Sequence, residues 1–329
     1  MTQLTPLHPW IAHTIGCAPD ALTRAALEAY QLRRLQETLD WCRARSAFYR
    51  ERLASMPPVL ASLADWAAVP LTEPDAVAKR PFACVCVSQS EIARVVTLPG
   101  TPPRRVFLTA EEQERTRDFF HVGMGTFAAP GDRVLILLPC ARPGSVGDLL
   151  AEALARLGAR AIRHGLVTDM AQALAVLAAK RPDGVVGVPG QVLALARAAG
   201  GPVGVRYVLL SGAHAAAAVV AEIEALWGCT VYDHYGTTEM GLGGGVECAA
   251  RQGYHLREAD LYVEVVDPRS GAPLPEGTPG EVVFTTLTRH GMPLLRYRTG
   301  DRSRFLPGAC ACGTTLRRLQ KIGPGTEFD

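Results

Sequence analysis

The chain has 329 residues, 48% of them hydrophobic, and its 34 basic and 32 acidic residues give a net charge of +2. A chain of this length can bury a sizeable core and divide it among two or three subdomains. No long run of either charge occurs, which argues against a nucleic-acid-binding face and against a face that binds anionic membranes. The sequence also contains no uncharged apolar run of the roughly 18 residues that span a bilayer.

The cysteine content and the N-terminus both bear on the cellular location. Nine cysteines, an odd number, do not suit the disulfide framework of a secreted protein. Residues 1–10 lack the cationic and apolar segments of a signal peptide. We therefore expect a cytoplasmic protein, in whose reducing environment some of the thiols can bind a metal.

The first part of the chain, residues 1–95, is predicted to be mainly helical. A long helix is expected from Pro19 to about Tyr49, where apolar side chains recur among arginines and glutamates. A short strand is expected at residues 82–87, which lead into the next part of the chain.

Residues 96–247 are predicted to form a parallel α/β part. Short apolar strands alternate there with helices of about three turns, a pattern that implies a parallel sheet covered on both faces. The predicted strands are residues 134–138, 160–163, 185–188, 205–210 and 230–234, and the predicted helices are residues 146–157, 169–179, 191–199 and 216–227. Loops at the carboxyl ends of such strands are where open α/β sheets bind ligands.

The last of these strands leads into residues 235–239, which read Tyr-Gly-Thr-Thr-Glu and precede a glycine run. The ring of Tyr235 can stack on a flat base, Thr237 and Thr238 can donate to phosphate oxygens, and Glu239 can hold a hard cation. The alternative is a tight corner between a strand and a helix, with Thr238 capping that helix and Glu239 complementing its dipole. The loop chemistry alone leaves both interpretations open.

The last part of the chain, residues 248–329, is predicted to be a β-rich subdomain. Its expected strands are residues 254–266, 280–287 and 294–305, separated by segments rich in proline and glycine. Four potential metal ligands occur here, namely Cys248, His255, Cys310 and Cys312. Three thiols and an imidazole suit tetrahedral zinc, but their spacing alone leaves buried structural thiols as the alternative.

Two separated motifs resemble a known family. Residues 235–239 resemble the Tyr-Gly-x-Thr-Glu signature of the adenylate-forming (AMP-dependent synthetase/ligase) superfamily, and residues 294–301 resemble its Tyr-Arg-Thr-Gly-Asp motif. Residues 280–289 with 291–293 are most similar to the phenylacetate–CoA ligase branch. The resemblance implies an α/β fold with the large-domain architecture of adenylate-forming enzymes, in which parallel α/β subdomains, here the nucleotide-binding residues 96–247, accompany a small, barrel-like β-rich subdomain.

The resemblance implies an AMP-dependent acyl- or aryl-acid:CoA ligase that uses ATP, Mg²⁺, CoA and a small carboxylic acid. Thr238 at the α-phosphate and Glu239 as the Mg²⁺ ligand are implied to be catalytic. The residues implied to bind the nucleotide are Ser211, Gly212, Ala213, Tyr235, Gly236, Thr237 and Asp301. From their positions, His234, Gly241 and Gly243 are expected to border the acid. Members of this branch often carry a similar cysteine and histidine set, so a structural zinc ion becomes the favoured interpretation of the four metal ligands.

The sequence departs from the family in two places. The segment at the position of the phosphate-binding loop, residues 97–109, contains three prolines and a single glycine, so it offers few backbone donors to ATP, although Thr97, Thr101 and Arg104 can still meet phosphate. The small C-terminal domain is expected to be absent, with Pro324 where the hinge arginine would stand.

These departures keep an alternative open, namely a catalytically impaired or half-enzyme protein that binds a nucleotide or an acyl adenylate. They also leave room for a homodimer or for a separate polypeptide that supplies the small domain.

Overall fold

The N-terminal part of the chain is helical in the computed structural model, which describes residues 3–321. Its helices are α1 Leu7–Ile15, α2 Arg24–Arg45, α3 Ala47–Arg52 and α4 Pro74–Lys79. The Thr23 hydroxyl caps α2 by accepting from the Ala26 amide, so the long predicted helix begins after Pro19. The strand predicted at residues 82–87 was wrong. Pro81–Cys84 instead forms a turn of 3₁₀ helix, because Pro81 has a fixed φ that suits the start of a helical turn and has no N–H for a strand ladder.

The segment at the position of the phosphate-binding loop is an antiparallel hairpin. Its strands are β1 Ile92–Leu98 and β2 Arg104–Thr109, and Leu98 pairs with Arg104 at the end of the ladder. Residues 99–103, which include all three prolines, form the loop between them. The loop, which has few N–H donors, therefore extends from the end of a hydrogen-bonded ladder. Arg104 is the first residue of β2 at that end.

A larger sheet forms the centre of the molecule. The remaining helices are α5 Ala110–Met124, α6 Val146–Arg156, α7 Met170–Lys180, α8 Pro189–Ala199 and α9 Ala217–Trp227. The remaining strands are β3 Arg133–Leu137, β4 Arg160–Arg163, β5 Gly184–Gly187, β6 Tyr207–Leu210, β7 Thr230–Tyr235, β8 Gly245–Glu247, β9 Tyr254–Leu256, β10 Leu261–Val266, β11 Gly280–Thr286, β12 Tyr297–Ser303 and β13 Arg318–Leu319. Eight of these strands are hydrogen-bonded in the order β13-β9-β8-β7-β6-β5-β3-β4.

Both faces of the parallel half of this sheet are buried. Strands β4, β3, β5, β6 and β7 run parallel, as the alternating sequence pattern predicted. Along β3, Val134 and Ile136 pack into one hydrophobic core while Leu135 and Leu137 pack into the other. Successive side chains of a strand point to opposite faces, so this division explains the continuous apolar runs of these strands.

The sheet changes direction after β7. Strand β8 pairs antiparallel with β7, and β9 and β13 extend the sheet further in the same antiparallel manner. The predicted single strand 254–266 was therefore wrong, since it consists of β9 in this sheet and β10 in another. Between them the amides of Asp260 and Leu261 both donate to the carbonyl of Arg257, which closes a turn.

Strands β10, β11 and β12 form a separate three-stranded antiparallel sheet. The predicted divisions at residues 95/96 and 247/248 stay predictions, and the central sheet continues across the second of them through β9 and β13. Pro324, at the expected hinge position, lies outside the described residues. No helix within residues 3–321 combines the length and apolar character needed to cross a membrane.

Candidate active site

A cleft opens where β6 and β7 end at the carboxyl edge of the parallel strands, the edge at which such sheets bind ligands. Its volume is about 410 Å³. The residues of the sequence-predicted site that line it are Ser211, Gly212, Gly236, Thr237, Thr238, Glu239 and Asp301. Residues from the hairpin and from the three-stranded sheet β10–β12, called the small sheet below, complete the wall, among them Arg104 and Tyr297. The structure thus brings two sequence motifs, more than fifty positions apart, to one cleft.

The chain turns back on itself after β7 and does not enter a helix, so the capped strand–helix corner was the wrong alternative. The Thr237 hydroxyl accepts from the Met240 amide, and the Gly244 amide donates to the carbonyl of Tyr235 at 2.9 Å. A Cβ on Gly236 would lie 2.6 Å from the Gly243 Cα, which is closer than real contacts allow. The glycine run is therefore needed for the close crossing that leads into β8.

Tyr235 and Asp301 are joined beneath the cleft. The Tyr235 hydroxyl donates to the Asp301 carboxylate at 2.9 Å, and its ring stacks against Tyr254 with 5.7 Å between centroids. Tyr235 is only 7% exposed and does not line the cleft. Burial raises the pKa of Asp301, and the hydrogen bond from Tyr235 opposes that shift. The stacking of Tyr235 on adenine stays a prediction.

The Glu239 carboxylate is buried at the edge of the cleft and has two polar partners. Arg104 Nη1 lies 3.2 Å from Glu239 Oε1, and the Tyr297 hydroxyl donates to the same oxygen at 3.2 Å. With 6% of the residue exposed, the carboxylate has lost most of its hydration. Burying a carboxylate is costly unless charged or hydrogen-bonding partners replace its water, and these two groups do so.

The backbone of the same turn is held by two further arginines. Arg289 donates to the carbonyl of Glu239 at 2.6 Å, and Arg257 donates to the carbonyl of Met240 at 2.7 Å. Burial lowers the pKa of Arg257 to about 10, which leaves it charged at neutral pH. A Cβ on Gly241 would meet both guanidinium groups at 3.2 Å. Gly241, predicted to border the acid, therefore faces these arginines.

An apolar pocket of about 30 Å³ adjoins the cleft. Aromatic and aliphatic side chains from α5 and the central strands line it, together with Ser211 and His234; the apolar members include Phe119, Phe120, Met124, Val186, Leu209 and Val246. Ser211 also lines the cleft, so the two cavities share a wall. A Cβ on Gly243 would come within 2.4 Å of the Phe119 ring, which puts Gly243 beside this pocket.

His234 is neutral in this environment. Its Nδ1 lies 3.1 Å from the Ser211 hydroxyl, whereas Nε2 has no hydrogen-bond partner among the described residues. Burial and, secondly, the charge of Arg257 lower the pKa of His234 to about 4. The imidazole can therefore orient the Ser211 hydroxyl without bringing a positive charge to the apolar pocket.

Not every predicted residue lies at the cleft. Ala213 is exposed and does not line it. Conversely, Arg257, Arg289 and Tyr297 contact the Glu239 turn but were not assigned by the sequence analysis. Arg289 and Tyr297 lie inside the stretches that carried the family resemblance, so that signal could have found them. Arg257 lies in a turn with no motif of its own.

The four predicted metal ligands form one cluster. Cys248, His255, Cys310 and Cys312 are buried, and their ligand atoms all lie within 4.8 Å of one another. The Cys248 and Cys310 sulfur atoms are 3.7 Å apart, and Cys312 Sγ is 3.5 Å from His255 Nε2. Cys248 directly follows β8 and His255 lies within β9, so the cluster joins the segment before β13, which carries Cys310 and Cys312, to the central sheet.

The chain belongs to the AMP-binding enzyme family, whose model matches residues 103–288. Within this family it is a phenylacetate–CoA ligase-like member. It is 30% identical over 322 residues to the phenylacetate-coenzyme A ligase of Thermus thermophilus. The matched region covers 92% of this chain and 71% of that protein. The phenylacetate-coenzyme A ligase of Escherichia coli is 44% identical over 103 residues, or 31% of this chain and 23% of that protein.

Solved structures confirm the expected fold class. An open conformation of 2-hydroxyisobutyryl-CoA ligase in complex with 2-HIB-AMP and CoA has a TM-score of 0.83 and 25% identity, covering 92% of this chain and 75% of that chain. A long-chain-fatty-acid-CoA ligase from Archaeoglobus fulgidus has a TM-score of 0.54 at 15% identity, covering 73% of this chain and 53% of that one, and shares the fold alone.

The neutral state of His234 can be tested by replacing it with Gln. An unfolded histidine takes up a proton near pH 6.5, whereas folded His234 does so only near pH 4. Because the unfolded state binds this proton first, the free energy of unfolding falls as the pH drops from about 6.5 towards 4. Between pH 7 and pH 5 we expect the free energy of unfolding of wild type to fall by roughly 1–2 kcal/mol more than that of the His234→Gln variant.

Chemical denaturation of both proteins at the two pH values measures this difference. Equal losses in the two proteins would contradict the neutral assignment of His234.

Proposed function

We propose that the chain activates a small carboxylic acid with ATP and passes the acyl group to CoA. The observation that carries this proposal is the shared wall between the polar cleft and the apolar pocket, with Ser211 in both. A nucleotide in the cleft and an acid in the pocket would meet at that wall. The similarity to CoA ligases along 92% of the chain favours this function over an impaired nucleotide-binding protein.

The proposed reaction has two steps. A carboxylate oxygen of the acid bonds to the α-phosphorus of ATP while the bond from that phosphorus to the bridging oxygen breaks, and pyrophosphate leaves with the electron pair. The CoA sulfur then bonds to the acyl carbon, the acyl carbon–oxygen bond breaks, and AMP leaves with that oxygen while the thiol proton passes to solvent. The protein's task is mostly to hold the reactants in line and to neutralise charge.

The residues of the Glu239 turn suit the phosphate side of this reaction. Thr238, next to Glu239 on the cleft wall, would donate to the α-phosphate, and Thr237 and the backbone of Gly236 lie on the same wall. Asp301, held by Tyr235, would accept from ribose hydroxyls. Carboxylate oxygens are the ligands that Mg²⁺ prefers, so Glu239 would hold the ion, which supplies charge neutralisation at the phosphates when bound.

The lining of the apolar pocket suits the apolar part of a small acid, but its volume of about 30 Å³ is close to that of one water molecule, so an aryl ring or acyl chain would enter only if the lining side chains move apart. Its lining is mostly aromatic and aliphatic, and the neutral His234 adds no charge to it. Such a pocket binds the apolar part of an acid by excluding water, while the carboxylate remains at the polar wall.

Replacing Glu239 with Gln should abolish acid activation without unfolding the protein. Wild type should exchange labelled pyrophosphate into ATP only when a suitable aryl or short-chain acid is present. Loss of the carboxylate should reduce the exchange at least about a hundredfold, because several kcal/mol of charge neutralisation is removed. Glu222 pairs with Arg197 on the helical layer and does not line the cleft, so Glu222→Gln provides the matched control.

Circular dichroism would report whether each variant is folded. An absence of acid-dependent exchange in wild type across the acid panel would contradict the proposed function. Equal exchange rates in wild type and Glu239→Gln would instead contradict the role of Glu239.

We further propose that the four-residue cluster holds a structural zinc ion. In a tetrahedral site with Zn–S bonds of about 2.3 Å and Zn–N bonds of about 2.0–2.1 Å, two sulfur atoms lie about 3.8 Å apart and a sulfur and a nitrogen about 3.5 Å apart. The separations of 3.7 Å between Cys248 and Cys310 and 3.5 Å between Cys312 and His255 agree with these values. Three thiols and one imidazole, with no open position, are typical of a structural site.

Replacing Cys310 with Ser should reduce the bound zinc from about one ion per chain to near zero and lower the melting temperature. Cys229→Ser is the matched control, because Cys229 is a buried cysteine outside the cluster. Elemental analysis and thermal unfolding of both variants measure the two effects. A wild-type protein without metal, or full zinc content in Cys310→Ser, would contradict the proposal.

A further inference from the structure

The hairpin β1–β2 inserts an arginine into the cleft at the residue proposed to hold Mg²⁺. Arg104 Nη1 lies 3.2 Å from Glu239 Oε1. The Glu239 side chain is 8% exposed, whereas the Arg104 side chain is 38% exposed and reaches the carboxylate from the open side. Arg104 is therefore the movable member of the pair.

This ion pair gives the buried carboxylate a counter-charge in the absence of a metal. Mg²⁺ bound at Glu239 Oε1 would take the place of the Arg104 guanidinium, because the two cations repel each other and compete for the same oxygen. The Tyr297 hydroxyl remains as a partner of the same oxygen. Displacement leaves Arg104 free on the cleft wall, where Thr237 and Thr238 also lie.

The neighbouring loop offers few hydrogen-bond donors to the outer phosphates, which favours a role for a second cation. Residues 99–103 contain three prolines, which have no N–H to donate, so within this loop only the Gly100 and Thr101 amides could reach the outer phosphates of ATP. A planar guanidinium can donate two parallel hydrogen bonds to a phosphate and brings a full positive charge. Leu98 and Arg104 both adjoin that loop on the cleft wall, and Arg104 is the charged member of this pair.

We propose that Arg104 is a phosphate-binding residue that alternates between two anions. Without nucleotide it pairs with Glu239. When Mg²⁺ and ATP bind, the metal takes the carboxylate and Arg104 moves to the β- and γ-phosphates, the part of ATP that leaves as pyrophosphate. This inference rests on the proposed adenylation function, because it requires ATP in the cleft.

Arg105 provides a natural control on the same strand. It follows Arg104 directly and pairs with Thr97 across the hairpin. Successive side chains of a strand point to opposite faces, and Arg105 does not line the cleft. A change at Arg105 removes the same charge from the same hairpin without removing the contact to Glu239.

The exchange of partners predicts two opposite effects in Arg104→Met. Its affinity for Mg²⁺·ATP and for Mg²⁺·pyrophosphate should fall roughly tenfold or more, because a charge-assisted contact is lost. Its affinity for Mg²⁺ alone should rise, because the competing guanidinium has been removed. Its affinity for AMP, which lacks the outer phosphates, should stay within about twofold of wild type. Arg104→Lys keeps the charge but loses the planar guanidinium, so its affinities should lie between those of wild type and of Arg104→Met.

Isothermal titration calorimetry of wild type, Arg104→Met, Arg104→Lys and Arg105→Met with each of these four ligands, without any acid present, measures all the effects. Arg105→Met should match wild type throughout. Equal weakening of AMP and ATP in Arg104→Met, or no weakening in either Arg104 variant, would overturn the inference while leaving the adenylation proposal intact. Wild type that binds neither AMP nor ATP would overturn the adenylation proposal, and this inference with it.

Discussion

The buried turn that carries Glu239 is the feature on which the rest of the site depends. Its carboxylate faces Arg104 and Tyr297, and its backbone carbonyls accept hydrogen bonds from Arg289 and Arg257. These groups come from the hairpin, the small sheet, the segment after β11 and the turn between β9 and β10. A charge buried at this depth needs a counter-charge, supplied by Arg104 or, in the proposed nucleotide complex, by Mg²⁺, so four separate parts of the chain meet around a single turn.

The change of strand direction at β7 explains how the two cavities come to share a wall. The parallel strands deliver Ser211 and the Glu239 turn to the same edge of the sheet, and the glycine crossing then returns the chain antiparallel as β8. This return places Gly243 against Phe119 and His234 in the apolar pocket. Arg257 lies 5.2 Å from the Phe119 ring while it donates to the carbonyl of Met240, so one side chain contacts both the pocket and the turn.

The sequence predicted the parts of the fold that depend on local periodicity. The parallel strands and their helices were found almost residue by residue, because apolar runs buried on both faces leave a strong pattern. The break of 254–266 into β9 and β10 was missed, because both halves are apolar and the turn is closed by the backbone around Arg257. The two motifs located the cleft, and the cysteine and histidine set located the cluster. The ion pair of Arg104 with Glu239 spans 135 positions, and no local pattern encodes such a contact.

In the proposed reaction, an oxygen of the acid becomes bonded to the phosphorus of AMP. The most direct measurement incubates the protein with ATP, CoA and an acid whose carboxylate carries two ¹⁸O atoms, followed by mass spectrometry of the nucleotide product. We expect AMP that contains one ¹⁸O atom, because the acyl carbon–oxygen bond breaks in the second step and AMP leaves with the oxygen of the acid. Unlabelled AMP, or ADP as the product, would contradict the proposed reaction.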